Sequence, residues 1–130
     1  MAESKGPILY VDDEGEINAE LLESEGYQVV LYENIDKAIE AIEEGLTYKL
    51  AIIDRLLPSG DGGEVAKISK IINPFMPIIG VSKYEAKMES VDLQINKPYA
   101  HRKLKKIIPH ALKDPKKFLE DLCLYTNISQ

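Results

Sequence analysis

Apolar residues fall along this chain in five short runs, Ile8 to Asp12, Tyr27 to Tyr32, Leu50 to Asp54, Pro77 to Val81 and Leu93 to Asn96. Between them, apolar positions recur at helical spacing. A strand covered on both faces has no polar side to show. Ile8-Leu9-Tyr10-Val11, Leu50-Ala51-Ile52-Ile53 and Ile78-Ile79-Gly80-Val81 therefore predict the centre of a parallel sheet with helices on either face. The alternation of strand and helix predicts an α/β, doubly wound architecture with a five-stranded parallel sheet.

The helical stretches carry their own start and stop signals. Ile17, Leu21 and Leu22 predict a short first helix, closed by Gly26, where the chain can turn left-handed. Asn34 is a capping residue ahead of Ala38, Ile39 and Ile42, and Gly45 follows the last periodic position of this second helix. Val65, Ile68, Ile71 and Ile72 predict a third, ended by Asn73-Pro74. After Pro98, the spacing of Leu104, Ile107, Ile108, Ala111 and Leu112 predicts a basic amphipathic helix that Pro109 should kink or interrupt. Asp114-Pro115, a cap followed by a proline at the first helical position, predicts one more short helix packing through Phe118, Leu119, Leu122 and Tyr125.

At 130 residues, with 45% hydrophobic and 29% charged residues, the chain has the size and composition of one globular domain. No stretch is long and apolar enough for a membrane span. The segment from Met1 to Gly6 has neither the apolar core nor the cleavage site of a signal peptide, so a cytoplasmic place is expected. Cys123 is the single cysteine, which excludes an internal disulfide and fits a small apolar residue on the last helix. Net charge is −6, unevenly spread: Lys97 to Lys117 holds eight Lys/Arg against the single acid Asp114. This reads as a solvated basic helix face or as a docking face for an acidic partner. Aromatic residues are not interleaved with these lysines, and no nucleic-acid-binding motif occurs, so direct nucleic-acid binding is not expected.

The chemistry collects at the strand ends. Asp12-Asp13 follows the first strand, Asp54 ends the third, Ser82 lies just past the fourth and Lys97 follows the fifth. In a doubly wound sheet, ligands bind at the carboxyl ends of the strands, where the strand order reverses, and these residues would converge there. Three neighbouring carboxylates raise one another's pKa unless a cation neutralises them. With oxygen donors and no Cys/His cluster, Mg2+ suits the set better than zinc. Alternatively, Asp12-Asp13 would be an acidic turn at the start of the first helix.

These residues resemble the response-regulator receiver domains of two-component signalling, the CheY-like superfamily. The resemblance rests on Leu9-Tyr10-Val11-Asp12-Asp13-Glu14, on Ile52-Ile53-Asp54-Arg55-Leu56-Leu57-Pro58 with Gly62, on Gly80-Val81-Ser82, and on Asn96-Lys97-Pro98-Tyr99. It covers a core of roughly residues 7–112, leaving 113–130 as a helical extension of one receiver domain. It implies the flavodoxin-like strand order 2-1-3-4-5. It also implies phosphorylation of Asp54 by a sensor histidine kinase, a phosphotransfer protein or a small phosphodonor. Mg2+ would be held by Asp12, Asp13, Asp54 and the backbone carbonyl of Leu56, with Lys97 and Ser82 contacting phosphoryl oxygens. Such a protein assists its own phosphorylation and dephosphorylation without being a turnover enzyme. Its output is a changed surface for a downstream protein target, and a homodimer is compatible with that. The Lys97-Pro98 bond is expected to be cis.

The chain also departs from the pattern. Between Ser82 and Lys97, residues 83–96 must hold both the fourth helix and the fifth strand, so the fourth helix should be short or missing and the usual output surface altered. The switch aromatic, expected on the fifth strand three residues before the lysine, is replaced by Gln94; Tyr84 is a candidate substitute or a surface tyrosine. Lys83 stands where a small residue is usual and Leu56 is apolar, which together predict slow self-dephosphorylation. The first helix looks about one turn short. A second reading keeps the fold without the chemistry, as a pseudo-receiver that binds proteins independently of phosphorylation. Haloacid-dehalogenase-type phosphatases need a second acid at the position of Leu56 and are disfavoured, and no Gly-rich phosphate loop occurs.

Overall fold

A computed structural model of the chain describes residues 5–84, 86–97 and 100–122. The expected Lys97-Pro98 cis bond and the positions of Cys123 and Tyr125 lie outside them. Strands β1 (Ile8–Val11), β2 (Val29–Tyr32), β3 (Leu50–Asp54), β6 (Ile78–Ser82) and β7 (Leu93–Asn96) form one sheet. Its order is β2-β1-β3-β6-β7, every pair parallel. Counting only these strands, the order is the expected 2-1-3-4-5. The three central strands are buried at every position, whereas the edge strand β2 is half-buried throughout. Two further strands, β4 (Leu56–Leu57) and β5 (Gly60–Asp61), make a small antiparallel hairpin after β3. Two residues are too few to leave a periodic signal.

Side chains of successive strand residues point to opposite faces, and the core divides accordingly. Ile8, Tyr10, Ile52, Ile79 and Val81 pack under helices α1 (Glu16–Ser24), α4 (Ala100–Lys113) and α5 (Pro115–Glu120) through Leu22, Leu104, Ile108 and Phe118. Leu9, Val11, Ala51, Ile53 and Ile78 pack on the other face, under α2 (Ile35–Glu43) and α3 (Gly63–Ile72), through Ala38, Ile42, Val65 and Ala66. The Asn34 side chain accepts from Lys37 N–H at 3.2 Å and caps α2, and Asp114 does the same for α5 from Lys117 N–H at 3.1 Å. Gly26 and Gly45 sit at φ +97° and +92°, the left-handed conformation that ends α1 and α2.

Several expectations are corrected. Ile17 is 72% exposed and Leu21 also faces outward, because the sheet covers the Ala19–Leu22 side of α1. On α3 the buried stripe runs through Val65, Ala66 and Ser69; Ile71 lies off it and Ile72 falls in the last turn, so both are exposed. Helix α4 continues through Pro109 rather than breaking there. Pro109 and Lys105, whose carbonyl loses its partner, are both exposed, so that carbonyl remains open to water.

Among the described residues no helix lies between β6 and β7. Gly80 faces the α2/α3 side, and the space above it is filled by Met88 and Val91; a Cβ on Gly80 would come within 2.6 Å of the Met88 sulfur and 3.0 Å of Val91. Among the described residues, the C-terminal extension does not take over this role. Phe118 is buried, with Leu119 and Leu122 packed beside it, on the opposite face of the sheet.

Candidate phosphoryl and metal site

Strand register brings the sequence-predicted residues together. Val11 is level with Ile53, and Asp54 with Val81, which places Asp12, Asp54 and Ser82 at one end of three adjacent strands. Ser82 is level with Asn96, and the Lys97 N–H donates to the Ser82 carbonyl at 2.9 Å, fixing where the lysine leaves the sheet. All of this lies beside the reversal of strand order between β1 and β3.

The Lys97 ammonium is 3.4 Å from Asp54 Oδ2 and 3.9 Å from Asp12 Oδ2. Oxygens of Asp12, Asp13 and Asp54 all lie within 4.8 Å of one another. Asp12 and Asp54 are buried and Asp13 is half-buried. The Glu14 N–H donates to Asp12 Oδ1 at 2.9 Å, turning the other carboxylate oxygen toward Lys97. Ser82 is fully buried, and its hydroxyl oxygen accepts from the Tyr84 N–H at 3.0 Å. A cavity of about 210 Å³ opens over these groups, lined also by Glu14, Leu56, Lys83 and Tyr84. Gly62 packs directly against the backbone that carries Asp54: its N–H donates to the Arg55 carbonyl at 2.7 Å, and a Cβ there would collide with the Asp54 carbonyl oxygen.

Burial, and after it the charge of Asp12, push the Asp54 carboxyl up from 3.8 to about 6; Lys97 and the backbone N–H of Arg55 pull the other way without winning. Three carboxylates facing one ammonium are a donor set short of positive charge. Hard oxygen donors of this kind fit Mg2+, with the carboxylates of Asp12, Asp13 and Asp54 as groups that could hold it. Zinc is not suited, since the cluster holds neither Cys nor His.

Asp12, Asp13, Asp54, Ser82 and Lys97 are thus all at this end of the sheet. Tyr84 is exposed, 56%, so its ring is not packed in place of the missing aromatic. Sequence reasoning noted Gln94 only as a missing aromatic and gave Arg55 no role of its own. Arg55 Nη1 donates to the Ala86 carbonyl at 2.7 Å, and the Gln94 side chain bonds the backbone of Tyr84, Ala86 and Met88. The only signal of the second was the absence of an aromatic at that position.

Neither a family model nor a curated protein matches the sequence. Solved structures do, and those it resembles are response-regulator receiver domains. The response regulator TrrA of Thermotoga maritima, solved in complex with Mg2+ and BeF, is 29% identical over 82% of this chain and 98% of its own, with a TM-score of 0.71. A CheY-like receiver domain from Methanospirillum hungatei is 29% identical over 89% of this chain and 98% of its own, with a TM-score of 0.74. The receiver domain of the hybrid histidine kinase CckA is 28% identical over 82% and 98%, with a TM-score of 0.67.

Proposed function

We propose, from the receiver-domain fold that this chain shares with response regulators, that it is a phosphoacceptor. It would take a phosphoryl group onto Asp54 from a histidine kinase, a phosphotransfer protein or a small phosphodonor. The observation that carries the reading is the convergence of Asp12, Asp13, Asp54 and Lys97 at one end of the sheet. An Asp54 carboxylate oxygen attacks phosphorus, the bond from phosphorus to the donor breaks, and the donor leaves with the electron pair. Phosphoryl transfer asks the protein mainly for positioning and neutralisation of charge. Lys97 supplies a fixed ammonium beside the attacking oxygen, and Ser82 a hydroxyl whose proton is free to be donated. Above pH 6 the Asp54 carboxyl is mostly ionised and ready to act as nucleophile. Mg2+, when bound by Asp12, Asp13, Asp54 and the Leu56 carbonyl, supplies the remaining positive charge against the phosphoryl oxygens. TrrA, solved with Mg2+ and BeF, supports that assignment by analogy.

In this reading the chain acts in the cytoplasm, promotes its own phosphorylation and dephosphorylation rather than turning over a substrate, and presents a changed surface to a downstream protein. The phosphoryl dianion biases an existing equilibrium between two arrangements of the site. A second reading, a pseudo-receiver that binds its partner without phosphorylation, draws on the absence of a helix among the described residues between β6 and β7 and on Gln94. Incubation with acetyl phosphate and Mg2+ followed by intact mass measurement separates the two. The expected result is a gain of one phosphoryl group by the wild type and none by Asp54→Asn. A wild type that gains nothing, or an equal gain by the variant, overturns the phosphoacceptor reading.

A further inference from the structure

The segment between β6 and β7 has no helical ladder among its described residues to satisfy its backbone, so its N–H and C=O groups need other partners. One side chain partners three of them. Gln94, on β7, accepts from the Met88 N–H through Oε1 at 2.7 Å, and its Nε2 donates to the Ala86 carbonyl at 3.0 Å and to the Tyr84 carbonyl at 3.3 Å. A side-chain amide has two donors and one acceptor oxygen, and here all are spent on the same loop. The Ala86 carbonyl receives a second donor, Arg55 Nη1 at 2.7 Å, from the residue that follows Asp54. The near end of the loop reaches the site itself, because the Tyr84 N–H donates to Ser82 Oγ at 3.0 Å. That bond occupies a lone pair of the hydroxyl and leaves its single proton to be given elsewhere.

We infer that Gln94 is a positioning residue for the phosphoryl site. It acts through the Tyr84 backbone, holding the N–H that orients the Ser82 hydroxyl, so that this donor is set before a phosphoryl group arrives. The inference rests on the phosphoacceptor reading of Asp54. It joins two departures of the sequence into one device: the helix is replaced by a loop, and the aromatic expected at position 94 by an amide that clasps the loop.

A double-mutant cycle tests it. Wild type, Gln94→Met, Ser82→Ala and the double variant are phosphorylated with acetyl phosphate at saturating Mg2+, and the rates are followed by intact mass. Gln94→Met is expected to slow the reaction about tenfold, the worth of roughly one well-placed hydrogen bond. In the Ser82→Ala background the same change is expected to cost nothing further, because contacting partners are non-additive. A wild-type rate for Gln94→Met, or losses that multiply in the double variant, overturns the inference while leaving the phosphoacceptor reading intact. A wild type that takes no phosphoryl group overturns both. The clasp is tested separately by amide hydrogen exchange on the unphosphorylated protein: the Met88 N–H should be protected in the wild type and lose that protection in Gln94→Met. An unprotected Met88 in the wild type overturns the clasp whatever the site does. Should Gln94→Met fail to fold, Gln94→Glu keeps the acceptor for Met88 and removes both donors; it is expected to keep Met88 protected yet still slow phosphorylation, and an unaltered rate refutes the role.

Discussion

Replacing Asp54 by asparagine should stabilise the metal-free protein at neutral and alkaline pH. The folded state holds the Asp54 carboxyl at about 6 against 3.8, chiefly because it is buried and next because Asp12 lies beside it. Below pH 3.8 the group is protonated in both folded and unfolded chains and costs nothing. As pH rises toward 6, the unfolded chain releases the proton first and gains relative stability; above 6 the full penalty is present. At about 1.4 kcal/mol per pH unit, the rise amounts to about 3 kcal/mol, an order-of-magnitude figure. Asparagine removes the buried charge but also the 3.4 Å contact with Lys97, which leaves that ammonium to Asp12 at 3.9 Å. The pull of Lys97 is already contained in the folded value of about 6, so the expected gain at pH 8 stays about 3 kcal/mol, or roughly 10 °C in Tm for a domain of this size. The assay is thermal unfolding of both proteins in EDTA from pH 4 to pH 8, repeated with excess Mg2+. The gap should close toward pH 4. In Mg2+ it should shrink or reverse, since the wild type binds the ion better and gains by mass action. A variant no more stable than wild type at pH 8 in EDTA, or a gap that persists unchanged at pH 4, would refute the account of three acids sharing too little positive charge.

Two further outcomes follow from packing around and away from the site. Phe118→Ala empties a fully packed position between α5 and the sheet and should cost about 3–5 kcal/mol in urea unfolding; a loss below ~1 kcal/mol would mean that α5 is not part of the core. The aspartyl phosphate should be long-lived, because Leu56 offers an attacking water no hydrogen bond and Lys83 overhangs the same cavity. Leu56→Asn with Lys83→Ala should shorten its lifetime about tenfold, the scale on which orienting a reactant acts, and an unchanged lifetime by mass measurement would count against that arrangement.

Much of this was legible because burial on both faces leaves a plain mark. The runs at Ile8, Leu50 and Ile78 mark the central strands, and a residue at the end of a parallel strand has one place to go, so the sequence alone gathers Asp12, Asp54, Ser82 and Lys97. Caps were equally readable, Asn34 and Asp114 each accepting from an N–H three residues on. Helix faces were less so. Ile17 and Leu21 share one side of α1, yet the sheet covers the side of Ala19 and Leu22, and small residues such as Ala66 and Ser69 do buried work that a count of large apolar residues overlooks. Least legible was the loop from Lys83 to Val91. Its described residues are held by an amide from the following strand and by the guanidinium of a residue far back in the sequence, bonds that no periodicity announces.

The plug of Met88 and Val91 over Gly80 bears on how quickly the protein can change state. Where a helix bridges two strands, a signal moves it as a body, a collective event on the microsecond-to-millisecond scale. Here, among the described residues, only a tethered loop spans β6 and β7, and loops rearrange in nanoseconds to microseconds. Under the phosphoacceptor reading, exchange between resting and signalling shapes would accordingly be governed by the breaking of a few hydrogen bonds rather than by the sliding of a packed cylinder.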